Sequence, residues 1–191
     1  LVYHDINDLD KAMHYYQLSF ETGKKINNTK AIARGANNIG ILLNEKKNYK
    51  EAINYHLLSL KLKESDGDTL GISGSYLNLS VVYTNLNQFS KASDYLIQSK
   101  KLKLKLNDQL GILEVNEQMI DIFLLQNKFK QAEILAIENL EKVNRLTTIE
   151  PKISVYESLY KIHLAQSDYK NALRWYEIKN KLKDSLFTIE N

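Results

Sequence analysis

The apolar residues of this chain recur at the spacing of α-helices. In the segment 71–110, five large apolar residues follow the i, i+3, i+4, i+7 spacing, which predicts one buried helix face. These residues are Tyr76, Leu79, Val82, Tyr83 and Leu86. The polar pair 87–88 interrupts the pattern, and a second helix is predicted to follow it, with Ser90 as its N-cap. The segment therefore predicts a pair of helices joined by a short turn.

This two-helix pattern repeats every 40 residues along the chain. An alanine near the start of each second helix marks the period, at Ala12, Ala52, Ala92, Ala132 and Ala172. A large apolar residue lies three positions before each alanine, at Leu9, Tyr49, Phe89, Phe129 and Tyr169. A fixed period of this kind is typical of repeat proteins, in which stacked helix pairs share one core. We expect a single domain over 1–191, with a partial repeat at 1–30 and repeats at 31–70, 71–110, 111–150 and 151–190.

The repeat predicts an all-α protein with about nine helices and no sheet. The segment 101–106 alternates lysine and leucine, a pattern that also fits a β-strand. The segment 60–63 has the same alternation at the matching position of a clearly helical repeat, so we interpret both as helix ends. Turn-forming residues separate the repeats at 65–68 and 107–111, and Pro151 falls at a repeat boundary, where a first-turn proline loses no hydrogen bond.

Several positions resemble the signature of the tetratricopeptide repeat (TPR). In one repeat the matching residues are Tyr76, Leu79, Ser80, Tyr83, Phe89, Ala92 and Leu96, and in the preceding one Ile39, Gly40, Leu43, Tyr49 and Ala52. The usual TPR period is about 34 residues. The 40-residue period is similar to that of the longer-helix TPR proteins, which include bacterial peptide-sensing regulators, kinesin light chain and spindle-orientation adaptors. The resemblance implies a right-handed α-solenoid of antiparallel helix pairs, the TPR superhelix.

The function that this resemblance implies is the non-catalytic binding of a protein or peptide segment in the concave groove. The run 181–187 is also similar to the end of TPR sensor regions in bacterial two-component histidine kinases. The alternative is therefore a sensory or regulatory region of a histidine kinase or transcription regulator, whose output domain lies outside this fragment. The sequence beyond Asn191 would distinguish the two. The compartment stays open between bacterial cytoplasm and, for a membrane-anchored sensor, periplasm.

The resemblance also implies which residues line the groove, on the first helix of each repeat. They are Arg34, Asn37, Asn38 and Ile41, then Asn78, Val81 and Asn85, then Gln118 and Asp121, and finally Ser158 and Lys161. Asn38, Asn78 and Gln118 occupy one position in three successive repeats. Such carboxamides can hold an extended peptide backbone, because each amide both donates and accepts hydrogen bonds. The alternative is a solvated polar helix face. Docking of chaperone C-termini is not expected, since the family's carboxylate clamp needs additional lysines in this groove, and Lys161 and Arg34 alone do not form it.

Small residues are expected where the two helices of a repeat cross. Gly40 and Ser80 occupy this position in two repeats and allow the backbones to approach closely. In the next repeat the position is Ile120, which we expect the small side chain of Ala136 to accommodate. In the last repeat Tyr160 faces Tyr176, so we expect more open packing in that pair, as in a terminal unit that caps a solenoid.

Composition adds mainly exclusions. The chain has no cysteine, which excludes disulfides, thiolate zinc sites and a cysteine nucleophile. Its 26 basic and 23 acidic residues give a net charge of +3, too small to predict nucleic-acid binding. No apolar run is long enough to span a bilayer, so no membrane contact by this fragment is expected. The lysine excess within 91–110 is interpreted as a solvated helix face, against the alternative of a patch for an anionic partner. These lysines are Lys91, Lys100, Lys101, Lys103 and Lys105.

Candidate chemistry is sparse. The histidines do not have the spacing of metal ligands, and the acidic segment 5–10 lacks the central glycine and closing glutamate of a calcium loop. No nucleophile elbow, P-loop or dinucleotide motif is present, so no enzyme activity, cofactor or metal is expected. The start at Leu1 without methionine suggests a fragment cut inside a repeat. A homodimer through the C-terminal helix, around 176–186, is a further hypothesis.

Overall fold

The computed structural model describes residues 9–190, with side chains described up to Leu186. Over this range the backbone forms nine α-helices and no β-strand, which confirms the predicted all-α class. The helices are α1 (Leu9–Lys25), α2 (Thr29–Glu45), α3 (Tyr49–Ser65), α4 (Thr69–Asn85), α5 (Phe89–Lys105), α6 (Gln109–Leu125), α7 (Phe129–Val143), α8 (Glu150–Ala165) and α9 (Tyr169–Glu190). We call α2, α4, α6 and α8 the first helices of their pairs, and α3, α5, α7 and α9 the second helices.

The helix boundaries follow local sequence signals. The side-chain oxygens of Asp68 and Asp108 each accept a hydrogen bond of 2.8 Å from a backbone N–H in the first turn, of Gly71 and Gly111 respectively. Pro151 lies in the first turn of α8, as predicted. The segment 101–105 is helical, so its lysine–leucine alternation does not make a strand. The predicted N-cap Ser90 was wrong, because α5 begins one residue earlier and Ser90 already lies within its first turn.

The described chain divides into two compact units, which we treat separately. Unit 1 contains α1–α5 and unit 2 contains α6–α9. Within each unit, helices pack mainly on their neighbours along the chain. The core of unit 1 contains Phe20, Ala36, Ile39, Leu43, Ala52 and Val82, and that of unit 2 contains Leu113, Ile120, Ala132, Ala136, Val143, Val155, Leu159 and Ile162. The expectation of one continuous repeat domain stays a prediction.

A recurring contact joins positions 16 residues apart in the two helices of a pair. In unit 1, Gly40 lies against His56, and a Cβ atom added to Gly40 would lie 2.8 Å from the ring atom Cε1. In unit 2, Ile120 and Ala136 share one core, while the Tyr160 and Tyr176 rings face each other with centroids 5.6 Å apart. Ile120 and the small Ala136 are thus buried in one core, as expected, whereas the more open packing expected for Tyr160 and Tyr176 stays a prediction.

A buried polar residue at one position of each second helix ties that helix to its partner. Ser59 Oγ donates to the Ala33 carbonyl at 2.8 Å, and Ser99 Oγ donates to the Ser73 carbonyl at 2.9 Å. At the equivalent positions of unit 2, Asn139 accepts from Asn116 at 2.7 Å, and Lys179 donates to Glu157 at 2.8 Å. Buried polar groups require such partners, so these bonds fix the pairing of the helices.

The lysine-rich part of α5 is not uniformly solvated. Lys103 is only 5% exposed and Lys100 is half-buried, whereas Lys91, Lys101 and Lys105 are exposed. The interpretation as a solvated face was therefore wrong for Lys103. Lys103 follows the buried residues Leu96 and Ser99 by seven and four positions, so it lies on the same buried side of the helix, where its aliphatic stem can pack.

Candidate functional site

Neither a metal site nor a membrane span is found in the described residues. No group of three histidine or acidic side chains in 9–186 is arranged to hold a metal ion. His163 Nδ1 lies 3.1 Å from Asp168 Oδ2, and Asp10 pairs with Lys46 at 2.6 Å. The residues 5–8 of the candidate calcium loop, like His4, lie outside the described residues. None of the helices in 9–190 combines the length and apolar character needed to cross a membrane.

Unit 1 has an open cavity of about 200 Å³ between α2, the end of α3 and the turn before α4. It is lined by Thr29, Lys30, Ala33, Arg34, Asn37, Leu62, Lys63, Asp66 and Asp68. Lys30 lies 3.5 Å from Asp66, and Lys63 donates to Ser75 Oγ at 2.9 Å. Burial lowers the pKa of Lys63, although the charge of Asp68 opposes this shift. Arg34 is exposed and forms no ion pair or hydrogen bond within the described part of the chain.

Two amide pairs cross from α4 to α2. Asn78 Nδ2 donates to Asn37 Oδ1 at 2.8 Å, and Asn85 Nδ2 donates to Asn44 Oδ1 at 3.0 Å. Asn78 therefore pairs with Asn37, one residue before the expected column position Asn38. Each pair uses one donor and one acceptor, which leaves further hydrogen-bonding capacity on both amides.

Unit 2 has a larger cavity of about 430 Å³, bounded by α6, α8 and α9. Its lining is Glu117, Gln118, Asp121, Ile153, Ser154, Glu157, Ser158, Lys161, Lys179 and Lys183. A second cavity, of about 250 Å³, adjoins it and shares Glu117 and Ser154. The remaining lining of that second cavity is Leu110, Leu113, Glu114, Glu150 and Pro151. We call these two cavities together the α6–α8 groove.

Charges of both signs lie in the larger cavity without pairing. Within the described residues, Glu117, Asp121, Lys161 and Lys183 form no hydrogen bond or ion pair. Burial first, and then the carboxylates of Asp121 and Glu114, raise the pKa of Glu117 from 4.5 to about 7, against the opposing charge of Lys161. Burial also raises the pKa of Asp121, again opposed by Lys161. These carboxylates are therefore partly desolvated and lack a close cation.

Lys179 and Glu157 are the charged lining residues of this cavity that pair with each other. The Lys179 side chain is 7% exposed, and its Nζ atom donates to Glu157 Oε2 at 2.8 Å. The same Nζ atom lies 4.5 Å from the Tyr176 ring centroid and 5.3 Å from that of Tyr160, so both rings contribute cation–π contacts. Lys179 thus packs beside the two facing tyrosines, and its ion pair with Glu157 holds α9 against α8.

Six of the eleven predicted groove residues line a cavity. Arg34 and Asn37 line that of unit 1, while Gln118, Asp121, Ser158 and Lys161 line that of unit 2. Asn78 and Asn85 form the amide pairs, and Asn38, Ile41 and Val81 are half-buried on α2 and α4 without lining either cavity.

Sequence reasoning missed Glu117, Glu157, Lys179 and Lys183 in the cavity of unit 2. Glu117 could have been found, because it occupies the position of Asn37 two repeats later. The two lysines could not have been found in the same way, because they lie on a second helix and reach the cavity only through packing.

Comparison with known proteins gives a consistent picture of the fold. Residues 73–105 match the tetratricopeptide repeat family. No curated protein sequence matches the chain significantly. Among solved structures, BtubC from P. vanneervenii superposes with a TM-score of 0.77 at 13% identity, over 96% of this chain and 76% of that one.

Two other solved structures show the same likeness. A candidate kinesin light chain from Podosopora anserina, with nearly identical TPR-like repeats, gives a TM-score of 0.74 at 11% identity, over 97% of this chain and 92% of that one. The apo form of RapI gives 0.66 at 16% identity, over 97% of this chain and 66% of that one. The chain therefore has a TPR-like α-solenoid fold, and its segment 73–105 matches the tetratricopeptide repeat family.

Proposed function

We propose that the protein is a non-catalytic scaffold that binds protein or peptide segments in the grooves lined by its first helices. The observation that carries this proposal is the unpaired charge in the two cavities. Arg34 in unit 1, and Asp121 and Lys161 in unit 2, carry charges that form no ion pair or hydrogen bond within the described residues. Polar side chains that converge in a concave surface without satisfying one another are typical of a binding site. The tetratricopeptide repeat match and the TPR-like fold support a role in protein interaction.

The test is selection of nine-residue peptides from a random phage-displayed library on the immobilised protein. We expect enriched sequences whose binding weakens about tenfold in the double variant Arg34→Ala/Gln118→Ala, because each substitution removes a groove hydrogen-bonding group. Neither residue holds a bond within the fold, so thermal stability should change little.

The matched control for that test is Lys50→Ala/Gln98→Ala. It removes the same charge and the same type of amide from exposed positions on α3 and α5. The control should bind the selected peptides as the unmodified protein does. Absence of any enriched peptide, or equal weakening in both double variants, would contradict binding in the grooves.

The geometry of α9 favours a second candidate function, the regulatory region of a histidine kinase or transcription regulator. Helix α9 has 22 residues, whereas α3 and α5 have 17 each. It continues to Glu190, five residues past Ser185, the position equivalent to the ends of those two helices. A second helix that continues in this way can connect the repeats to a further segment and pass on a change in their packing.

The apolar surface of α9 suggests that such a regulatory region is a dimer. Tyr169, Leu173 and Tyr176 form one stripe on the helix and are 67%, 58% and 42% exposed. At the equivalent positions of α7, Phe129 is half-buried and Ala136 is buried. We propose that a second copy of the chain covers this stripe.

Sedimentation equilibrium tests the dimer. We expect an average mass approaching twice the 22.1 kDa of the chain, and a return to the single-chain mass in Leu173→Glu, because a buried unpaired carboxylate opposes association. Ile137→Glu is the control, since Ile137 is an exposed residue on α7 of the same unit. A single-chain mass for the unmodified protein at all concentrations would contradict this proposal.

A further inference from the structure

The cavity of unit 2 has an acidic wall and a basic wall that form no ion pair with each other, although the charge of Lys161 acts on both carboxylates. Glu117 and Asp121 lie one helical turn apart on α6 and form the acidic wall. Lys161 on α8 and Lys183 on α9 form the basic wall. A space of about 430 Å³ lies between the two walls, and none of the four pairs.

The other charged groups around the groove leave this arrangement in place. Glu157 is neutralised by Lys179, whose ammonium group is 2.8 Å away and enclosed by two tyrosine rings. Glu114 on α6 and Glu150 on α8 lie farther along the groove, in the adjoining cavity, and add negative charge at that end. The groove is thus acidic along α6 and toward the start of α8, and basic where Lys161 on α8 and Lys183 on α9 line it.

An occupant that carries only one sign of charge would satisfy one wall and be repelled by the other. A cation placed between Glu117 and Asp121 regains the electrostatic energy that these carboxylates lose by desolvation. An anion does the same for the two lysines. Water in the empty cavity does this less well, because it is a weaker partner than a counter-ion in a partly desolvated site.

We propose that the cavity of unit 2 selects peptide segments in which a basic and an acidic side chain lie close together. The lysine or arginine of the ligand lies between Glu117 and Asp121, and its aspartate or glutamate contacts Lys161 and Lys183. This inference rests on the proposed peptide-binding function and adds to it the chemistry of the ligand. The planar guanidinium of arginine suits the acidic wall best, because it can donate to two carboxylates at once.

The test uses a library of end-capped, random nine-residue peptides, so that neither chain terminus supplies a charge. The protein is immobilised, and the retained peptides are sequenced. We expect enrichment of peptides that carry a basic and an acidic residue within a few positions of each other. Glu117→Gln/Asp121→Asn should reduce enrichment of the basic residue at least about tenfold, and Lys161→Met/Lys183→Met should do so for the acidic residue.

Matched controls separate the site from overall charge. Glu138→Gln/Glu141→Gln and Lys128→Met/Lys130→Met change net charge by the same amounts at exposed positions on and beside α7. Both should retain the enrichment pattern of the unmodified protein. Enriched peptides without paired charges, or the same pattern in the groove variants, would overturn this inference while leaving peptide binding intact. No enriched peptide at all would overturn both.

The pH dependence of binding gives a second readout on a selected peptide. Since the pKa of Glu117 is about 7, its carboxyl group is largely protonated at pH 6 when no ligand is bound. A cation that binds beside it must displace that proton. Affinity should fall about tenfold from pH 8 to pH 6 in the unmodified protein and stay flat in Glu117→Gln. Equal pH dependence in both proteins would contradict the placement of the basic side chain beside Glu117.

Discussion

Replacing Gly40 with isoleucine is expected to destabilise the protein by about 3 kcal/mol, and replacing His56 with alanine in the same chain is expected to restore much of that loss. A Cβ atom at Gly40 would lie 2.8–2.9 Å from three atoms of the His56 ring, whose side chain is buried at 1% exposure. Overpacking of this kind typically costs about 1–3 kcal/mol, and isoleucine adds three more carbons beyond Cβ.

The rescue follows from the natural sequence. The equivalent pair in unit 2 is Ile120 and Ala136, so Gly40→Ile/His56→Ala recreates in unit 1 a pair that the chain already uses. Urea unfolding of the two single variants and the double variant gives the coupling free energy directly. Additive effects of the two substitutions would show that the isoleucine side chain does not clash with the His56 ring, and would contradict this prediction.

Gly74→Ile is the matched control for that series. Gly74 also lies within a first helix of unit 1, but a Cβ atom added there meets no atom within 4 Å. The same substitution should be neutral or slightly stabilising, because glycine costs up to about 1 kcal/mol in a helix interior. A large loss at both glycines would point to a general effect of isoleucine rather than to the crossing with His56.

The helices could be predicted from the sequence because each helix-start and helix-end pattern recurs in several repeats. Second helices begin at Tyr49, Phe89, Phe129 and Tyr169, one period apart, so an ambiguous stretch such as 101–106 is decided by its equivalents in other repeats. The pairing of Tyr160 with Tyr176 follows from the same register. A sequence signal that occurs in one repeat alone has no equivalent to check it. The predicted N-cap Ser90 is of this kind, and it was wrong because α5 begins before it.

The site was harder to predict because it depends on contacts between repeats rather than within one. Asn38, Asn78 and Gln118 share a position in the period, but the hydrogen bond that forms in unit 1 joins Asn78 to Asn37. One residue along a helix changes direction by about 100°, and small differences in packing decide which amide is reached. Lys179 and Lys183 belong to a second helix, so no periodic argument places them in a groove of first helices.

Acidification is expected to destabilise unit 1 through His56, by up to about 3 kcal/mol between pH 6.5 and pH 4. Burial first, and then the nearby charge of Lys63, lower the pKa of His56 from 6.5 to about 4. As the pH falls through 6.5, the unfolded chain binds a proton at this residue, while the folded protein does not until about pH 4. The free energy of unfolding therefore decreases across this window, and above pH 6.5 the contribution is fully present.

The variant His56→Leu lacks the contribution of this ring to the pH dependence of the unfolding free energy. Comparison with the unmodified protein therefore separates His56 from the other titrating groups. Leu96 occupies the equivalent position of α5, and the buried Nδ1 atom of His56, which has no hydrogen-bond partner, is removed with the ring. The variant should therefore be at least as stable as the unmodified protein at pH 8.

Glu117 contributes to the pH dependence with the opposite sign, because its pKa is raised to about 7 and its cost to stability declines as the pH falls below 7. The quantity to measure is thus the difference in unfolding free energy between the unmodified protein and His56→Leu, by urea titration at several pH values. This difference should change by about 3 kcal/mol between pH 7.5 and pH 4. His14→Leu, at an exposed position on α1, is the control for the loss of one histidine. Parallel pH profiles for the unmodified protein and His56→Leu would show that the pKa of His56 is the same in the folded and unfolded states, which would contradict this prediction.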